Sequence, residues 1–142
     1  MGLMTGKKGI IFGVSNTHGI AYAIAQQLFN EGADIAFTYA GDIMEKRVRP
    51  LAEGMNAKLI MNCDVTKEDE VAAVFAECEK IYGKLDFVVH AVAFATREDL
   101  MGRFIDTSKV GWDTALGVSA YSLVSICKIG RASCRERVSV RV

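Results

Sequence analysis

The sequence is short of several things, and each shortage closes a door. No apolar run approaches the roughly 20 residues that a membrane-spanning helix needs, so no span is expected. The opening MGLMTGKKG has no signal-peptide core, which gives no reason to expect export. The four cysteines, Cys63, Cys78, Cys127 and Cys134, show neither CxxC nor zinc-type spacing. Free thiols in a cytoplasmic protein are therefore expected, with no metal site. The formal net charge is zero. There is one proline, Pro50, and neither an internal repeat nor a low-complexity linker.

The zero charge is made of two unlike parts. From Lys128 to Val142 there are five basic residues and one acidic, a net of +4, which leaves −4 on residues 1–127. A mildly acidic body does not favour nucleic acid as a partner. With 51% apolar and 24% charged residues over 142 positions, the composition is that of one ordinary globular domain.

What is present is a regular alternation of strand and helix signals. Lys8–Gly13 is a short apolar run with β-branched residues, read as a buried strand. Ile20, Ile24 and Leu28 then recur at helical spacing across Gly19–Glu31, with Gly32 as the stop. Asp34–Tyr39 reads as a second strand. Ile43–Glu53 reads as a helix that Pro50 should kink or split. Lys58–Cys63 reads as a third strand. Thr66 is placed to cap the next helix, whose first turn carries Glu68, Asp69 and Glu70. Val71, Val74, Phe75, Cys78 and Tyr82 form its apolar face, and Gly83 ends it. Leu85–His90 is a fourth strand, and Lys109–Ile126 a weakly amphipathic helix. This order predicts an α/β protein with a parallel sheet covered on both faces and right-handed crossovers.

In such a sheet, ligands bind beyond the carboxyl ends of the strands. After the first strand lies GVSNTHGIAYAIA, residues 13–25. Its two glycines, Gly13 and Gly19, stand where a dinucleotide fingerprint has three. Gly13 suits a tight turn, and Gly19 would let a helix N-terminus meet a diphosphate. By itself the stretch fits a plain strand–helix turn equally well. After the second strand, TYAGD offers no basic residue for a 2′-phosphate, which favours NAD over NADP; Arg47 and Arg49 read as a solvated helix face. After the third, Asp64 could accept from an adenine amine, or simply begin a loop. After the fourth, HAVAFA is small enough for a ribose and nicotinamide to approach. His90 and His18 read as structural and solvated residues respectively.

Taken together, these strand ends resemble the short-chain dehydrogenase/reductase superfamily. Within it they are similar to the NADH-dependent enoyl-[acyl-carrier-protein] reductases of bacterial fatty-acid synthesis. The matching strings are GVSNTHGIAYAIAQQL, ADIAFTY, KRVRPLAE, CDVT, VFAECEKIYGKLDFVVHAVAFA and DTSKVGWDTALGVSAYS, and the match runs over residues 2–127. The resemblance implies a Rossmann-like doubly wound parallel sheet, here incomplete, with about four strands. It implies NADH as cofactor. Gly13, Val14 and Ser15 would line the pyrophosphate turn, Gly19 and Ile20 would open the helix beneath it, and Ala40 would sit at the adenosine ribose. Asp64 and Val65 would hold adenine. Ala91, Val92 and Ala93 would pass the ribose and nicotinamide, and Ala95 would border the substrate. The family often has glutamine where Ala40 stands and usually glycine where Ala93 stands.

In that family a hydride reduces a trans-2-enoyl thioester carried on acyl-carrier protein, and a tyrosine and a lysine stabilise the enolate. That pair is expected beyond Val142, and Tyr121 is not a substitute for it. Enzymes of the family are usually homotetramers. The tail raises a separate expectation. Each residue from Lys128 to Val138 equals the translation of a common sequencing-adapter strand. Residues 1–127 are therefore expected to be the first part of the nucleotide-binding domain, and 128–142 a non-native tail. The reading is then a reductase half without turnover of its own. Two other readings stay open: a non-catalytic NAD-binding module, or another short-chain reductase.

Overall fold

The computed structural model describes residues 2–133. Four parallel strands form one sheet: β1 (Lys8–Phe12), β2 (Asp34–Tyr39), β3 (Ile60–Asn62) and β4 (Phe87–His90), in the order β3-β2-β1-β4. The helices are α1 (Ile20–Asn30), α2 (Asp42–Glu53), α3 (Glu68–Tyr82), the short α4 (Arg97–Met101), α5 (Lys109–Leu116) and α6 (Ser122–Ser133). A 3₁₀ turn (Phe104–Asp106) precedes α5, and a π-helical turn (Gly117–Tyr121) joins α5 to α6.

Strand β1 is the centre, paired with β2 on one side and β4 on the other. Its side chains alternate between two cores. Ile10 and Phe12 enter one with Val71, Phe75, Cys78 and Tyr82 of α3 and Ile126 of α6. Ile11 enters the other with Ala21 and Ala25 of α1 and Val48 and Ala52 of α2. Burying a side chain such as Phe75 or Val71 contributes roughly 1.5–3 kcal/mol each. From β1 to β3 the chain steps outward with its helices on one face. It then returns past β1 to β4 with α3 on the opposite face. Reversing direction and face together preserves the hand of the crossover. The strand order turns back between β1 and β4, and there the sheet opens a crevice.

Four local expectations are corrected. Helix α2 is not split at Pro50: it continues to Glu53, because Pro50 lies in the last turn and its own carbonyl still accepts from Gly54 N at 3.1 Å. Thr66 does not cap α3; Lys67 does, without a side-chain bond, and Thr66 turns back to Asp64 instead. Strands β3 and β4 are shorter than the apolar runs that suggested them. The expected helix over 109–126 is interrupted by the π turn and runs on to Ser133.

Other signals hold. The apolar face of α3 is fully buried. Gly32, with φ of +93°, follows α1 as the left-handed residue of a Schellman ending, with Gly32 N bonded to Phe29 O at 2.9 Å and Ala33 N to Leu28 O at 3.0 Å. Residues 128–133 of the expected foreign tail continue α6; residues 134–142 lie outside the described residues. Among the described residues no helix is long and apolar enough to cross a membrane.

Candidate cofactor site

The carboxyl ends of all four strands open into one cleft of about 1030 Å³. It is lined by Gly13, Val14 and Ser15 after β1, Gly19 and Ile20 at the start of α1, and Ala40 after β2. Asp64 and Val65 line it after β3, and Ala91, Val92 and Ala93 after β4. Every residue expected from the sequence to touch a dinucleotide therefore faces the same space, although the positions run from Gly13 to Ala93 along the chain. Ala95, expected at a substrate, does not line the cleft; its neighbour Phe94 does.

The turn after β1 depends on Gly13. Its φ is +104°, and a Cβ there would stand 2.1 Å from the carbonyl oxygen of Ala91. The two strand ends thus meet backbone to backbone. Gly19 differs. Its backbone is extended (φ −80°, ψ 150°), and a Cβ would find nothing nearer than Asn16 O at 3.7 Å. The fold itself therefore does not demand glycine at 19. Helix α1 also begins with no side-chain cap and no acidic residue in its first turn. Its first amides and the positive end of its dipole are left facing the cleft, which suits an anion.

The β3 end is held by carboxylates. Asp64 Oδ1 accepts from Thr66 N at 2.9 Å and from Thr66 Oγ1 at 2.7 Å. The hydroxyl and then the amide of Thr66 keep the Asp64 carboxyl below its ordinary range, so it is ionised at neutral pH. Glu70, in the first turn of α3, accepts from Asp64 N at 2.7 Å, from Asn62 Nδ2 at 3.4 Å and from Lys67 Nζ at 3.0 Å. Asn62 in turn takes Gly41 N at 2.8 Å, fixing the loop that carries Ala40. Cys63 lies beneath, its thiol pushed up to about 12 first by burial and then by Glu70 and Asp64. It is no thiolate at neutral pH, so nucleophilic cysteine chemistry does not arise there.

The β4 end is held by serines. His90 Nε2 lies 2.7 Å from Ser122 Oγ, and Ser119 Oγ bonds the backbone of Phe94. His18 is exposed on the loop before α1. Arg49, expected on a solvated helix face, is instead part-buried: it pairs with Glu45 at 2.6 Å, and both lie against Tyr39 at the end of β2. Among the described residues no group of three or more His, Cys, Asp or Glu could hold a metal.

Sequence reasoning missed Glu70 and Asn62 as organisers of the β3 end, and Thr114 and Val118 as a wall of the cleft. Glu70 stood out only as one of three acids in a first turn, and nothing local separates it from Glu68 and Asp69.

The family model described as enoyl-(acyl carrier protein) reductase matches residues 13–140. The chain belongs to this family. Among similar proteins, the enoyl-[acyl-carrier-protein] reductase [NADH] 1 of Rhizobium meliloti is 45% identical over 125 residues, covering 88% of this chain and 46% of its own length. The FabI enoyl reductase of Aquifex aeolicus is 41% identical over 128 residues, or 90% of this chain and 47% of its own. The crystal structure of the Aquifex aeolicus enzyme superposes with a TM-score of 0.90 at 39% identity, covering 96% of this chain and 54% of that one. The Anaplasma phagocytophilum reductase, solved in complex with NAD, gives a TM-score of 0.87 at 41% identity over 92% of this chain and 50% of that one. The chain thus spans about half the length of the enoyl-reductase relatives it matches, and that half is the Rossmann-like sheet described above.

Proposed function

We propose that the cleft takes NADH and that these residues supply the dinucleotide-binding half of an enoyl-[acyl-carrier-protein] reductase. The observation that carries this is the uncapped, acid-free N-terminus of α1, opening onto the cleft beside Gly19, a glycine that the fold does not require. The amides of the first turn of α1, from Ile20 on, would take the diphosphate, with Gly19 leaving room for it and the Gly13–Ser15 turn against its other side. Asp64, kept ionised by Thr66, would accept from adenine, and the amide of Val65 would complete that edge. Ala40 would lie at the adenosine ribose, and Ala91, Val92 and Ala93 at the nicotinamide ribose. Ala95 would border the enoyl chain. With no basic residue in the TYAGD run that ends β2, and Arg49 nearby already paired with Glu45, NADH is preferred to NADPH. The bound cofactor supplies a hydride for the β-carbon of an enoyl thioester carried on acyl-carrier protein. The chain's own part is to orient it and to shield one of its faces.

The 142 residues span about half the length of the reductases they match, so binding without turnover is expected of them. Fluorescence titration with NADH and NADPH, together with NADH oxidation in the presence of a crotonyl thioester, tests this. Saturable NADH binding, weaker NADPH binding and no oxidation are expected. Absence of binding removes the cofactor reading, and rapid oxidation removes the reading as a half-site.

A further inference from the structure

Two serines three positions apart hold the strand end that borders the cleft. Ser119, in the π turn, uses its single hydroxyl twice: it accepts from Phe94 N at 3.1 Å and donates to Phe94 O at 3.2 Å. Ser122, at the start of α6, donates to Val118 O at 2.6 Å. Its one proton is thereby committed, so at 2.7 Å from His90 Nε2 it accepts, and His90 carries its hydrogen on Nε2. Ser122 is 1% exposed, and His90 is half-buried against it. Residues 90 and 94 are therefore both pinned to one helical segment. Between them Ala91 is fixed from the opposite side, its amide donating to Phe12 O at 3.0 Å and its carbonyl against Gly13.

Three positions apart on one helical segment, the two hydroxyls share a face. The π turn widens the helix at Gly117–Tyr121, and the Ser122 hydroxyl occupies the Val118 carbonyl there. Such interruptions recur at functional sites because they re-aim side chains. The same turn contributes Val118 to the wall of the cleft.

We propose that Ser119, Ser122 and His90 are positioning residues that set the path of Ala91–Ala93, and through it the affinity for the nicotinamide end of the dinucleotide but not for its adenine end. This rests on the cofactor reading above. The adenine end lies against β2 and β3, which the clasp does not touch.

The test compares two ligands on the full chain: NADH, and ADP as a probe of the adenine–diphosphate half alone. Ser119→Ala and Ser122→Ala should each weaken NADH by roughly tenfold, the worth of one positioned hydrogen bond, while ADP affinity stays at the wild-type value. His90→Ala should behave like Ser122→Ala, and His90→Gln, which restores an N–H donor near the Nε2 position, should recover most of the loss. Should the buried Ser122→Ala fail to fold, the half-buried Ser119→Ala decides by itself. Unchanged NADH affinity in the folded variants overturns the inference, as does an equal fall for NADH and ADP. A wild-type chain that binds neither ligand overturns the cofactor reading and this inference with it, whereas wild-type binding with insensitive variants overturns this inference alone.

Discussion

Gly13 and Ala91 touch through their backbones: a Cβ on Gly13 would lie 2.1 Å from the carbonyl oxygen of Ala91 and 2.5 Å from its carbonyl carbon. The contact joins the ends of β1 and β4, the two strands between which the order of the sheet turns back. Neither partner can yield, since both are main chain. Gly13 also has φ of +104°, where a side chain is strained whatever the space. Gly13→Ala should therefore lower stability by about 3 kcal/mol or more, the sum of backbone strain and overpacking. Chemical denaturation read by circular dichroism checks it. A midpoint within error of wild type would mean that the two strand ends do not meet as described.

Gly19 calls for the opposite experiment. Its extended backbone and open surroundings accept an aspartate, a good helix N-cap that also complements the dipole of α1. Gly19→Asp should stabilise the free protein by about 0.5–1 kcal/mol. The same carboxylate would occupy the anion site, so NADH binding should be lost. A variant that melts higher yet binds no NADH ties the glycine to the ligand rather than to the fold. Retention of NADH affinity would remove the diphosphate from α1.

The sheet and the four strand ends that face the cleft were legible in the sequence because they depend on local signals. Those signals are apolar runs such as GIIF and DIAFTY, and the helical spacing of Val71, Val74, Phe75, Cys78 and Tyr82. What was not legible depends on contacts distant in sequence. Glu70 earns its role by meeting Asp64 and Asn62, and Ser119 and Ser122 by meeting residues 25 and 32 positions earlier. The π turn was invisible for a related reason: its helical periodicity is broken by one residue, within the tolerance of any apolar pattern. Thr66 misled because a hydroxyl that can cap a helix can equally close a turn on Asp64, and here the carboxylate two residues back won.

Acid should expose the carboxylate cluster at the β3 end. Asp64 is held low first by the Thr66 hydroxyl, and Glu70 first by the Asp64 amide and then by Lys67. A carboxyl whose folded pKa lies below its unfolded value, near 4, contributes stability that is complete above the unfolded value. That contribution disappears as pH falls through the folded one. Melting temperature should be level from pH 7 to about 5 and decline below about 4. Asp99, held low first by the Ser108 amide, adds to the same slope. Glu70→Gln should make the acid decline shallower without abolishing it. An identical acid profile in that variant would separate Glu70 from the cluster.

Two helical glycines should respond to substitution with opposite signs. Gly117, in the π turn, has helical dihedrals (φ −59°, ψ −47°) and nothing within 4 Å of where a Cβ would stand. Gly117→Ala should therefore stabilise by up to ~1 kcal/mol, the helix-propensity difference between the two residues. Gly130, in α6, faces the buried ring of Phe75, and a Cβ would stand 2.8 Å from Phe75 Cζ. Phe75 is 1% exposed and packed among Phe12, Val71 and Val74, so the ring has little room to retreat. Gly130→Val recovers only part of the propensity term and forces two methyl groups into the contact. Overpacking of this kind costs about 1–3 kcal/mol, so the net effect should be destabilising. Paired denaturation curves for the two variants give the comparison. Stabilisation by both would mean that α6 does not pack on α3 as far as Gly130. The first residues of the basic tail would then lie apart from the core they are placed against.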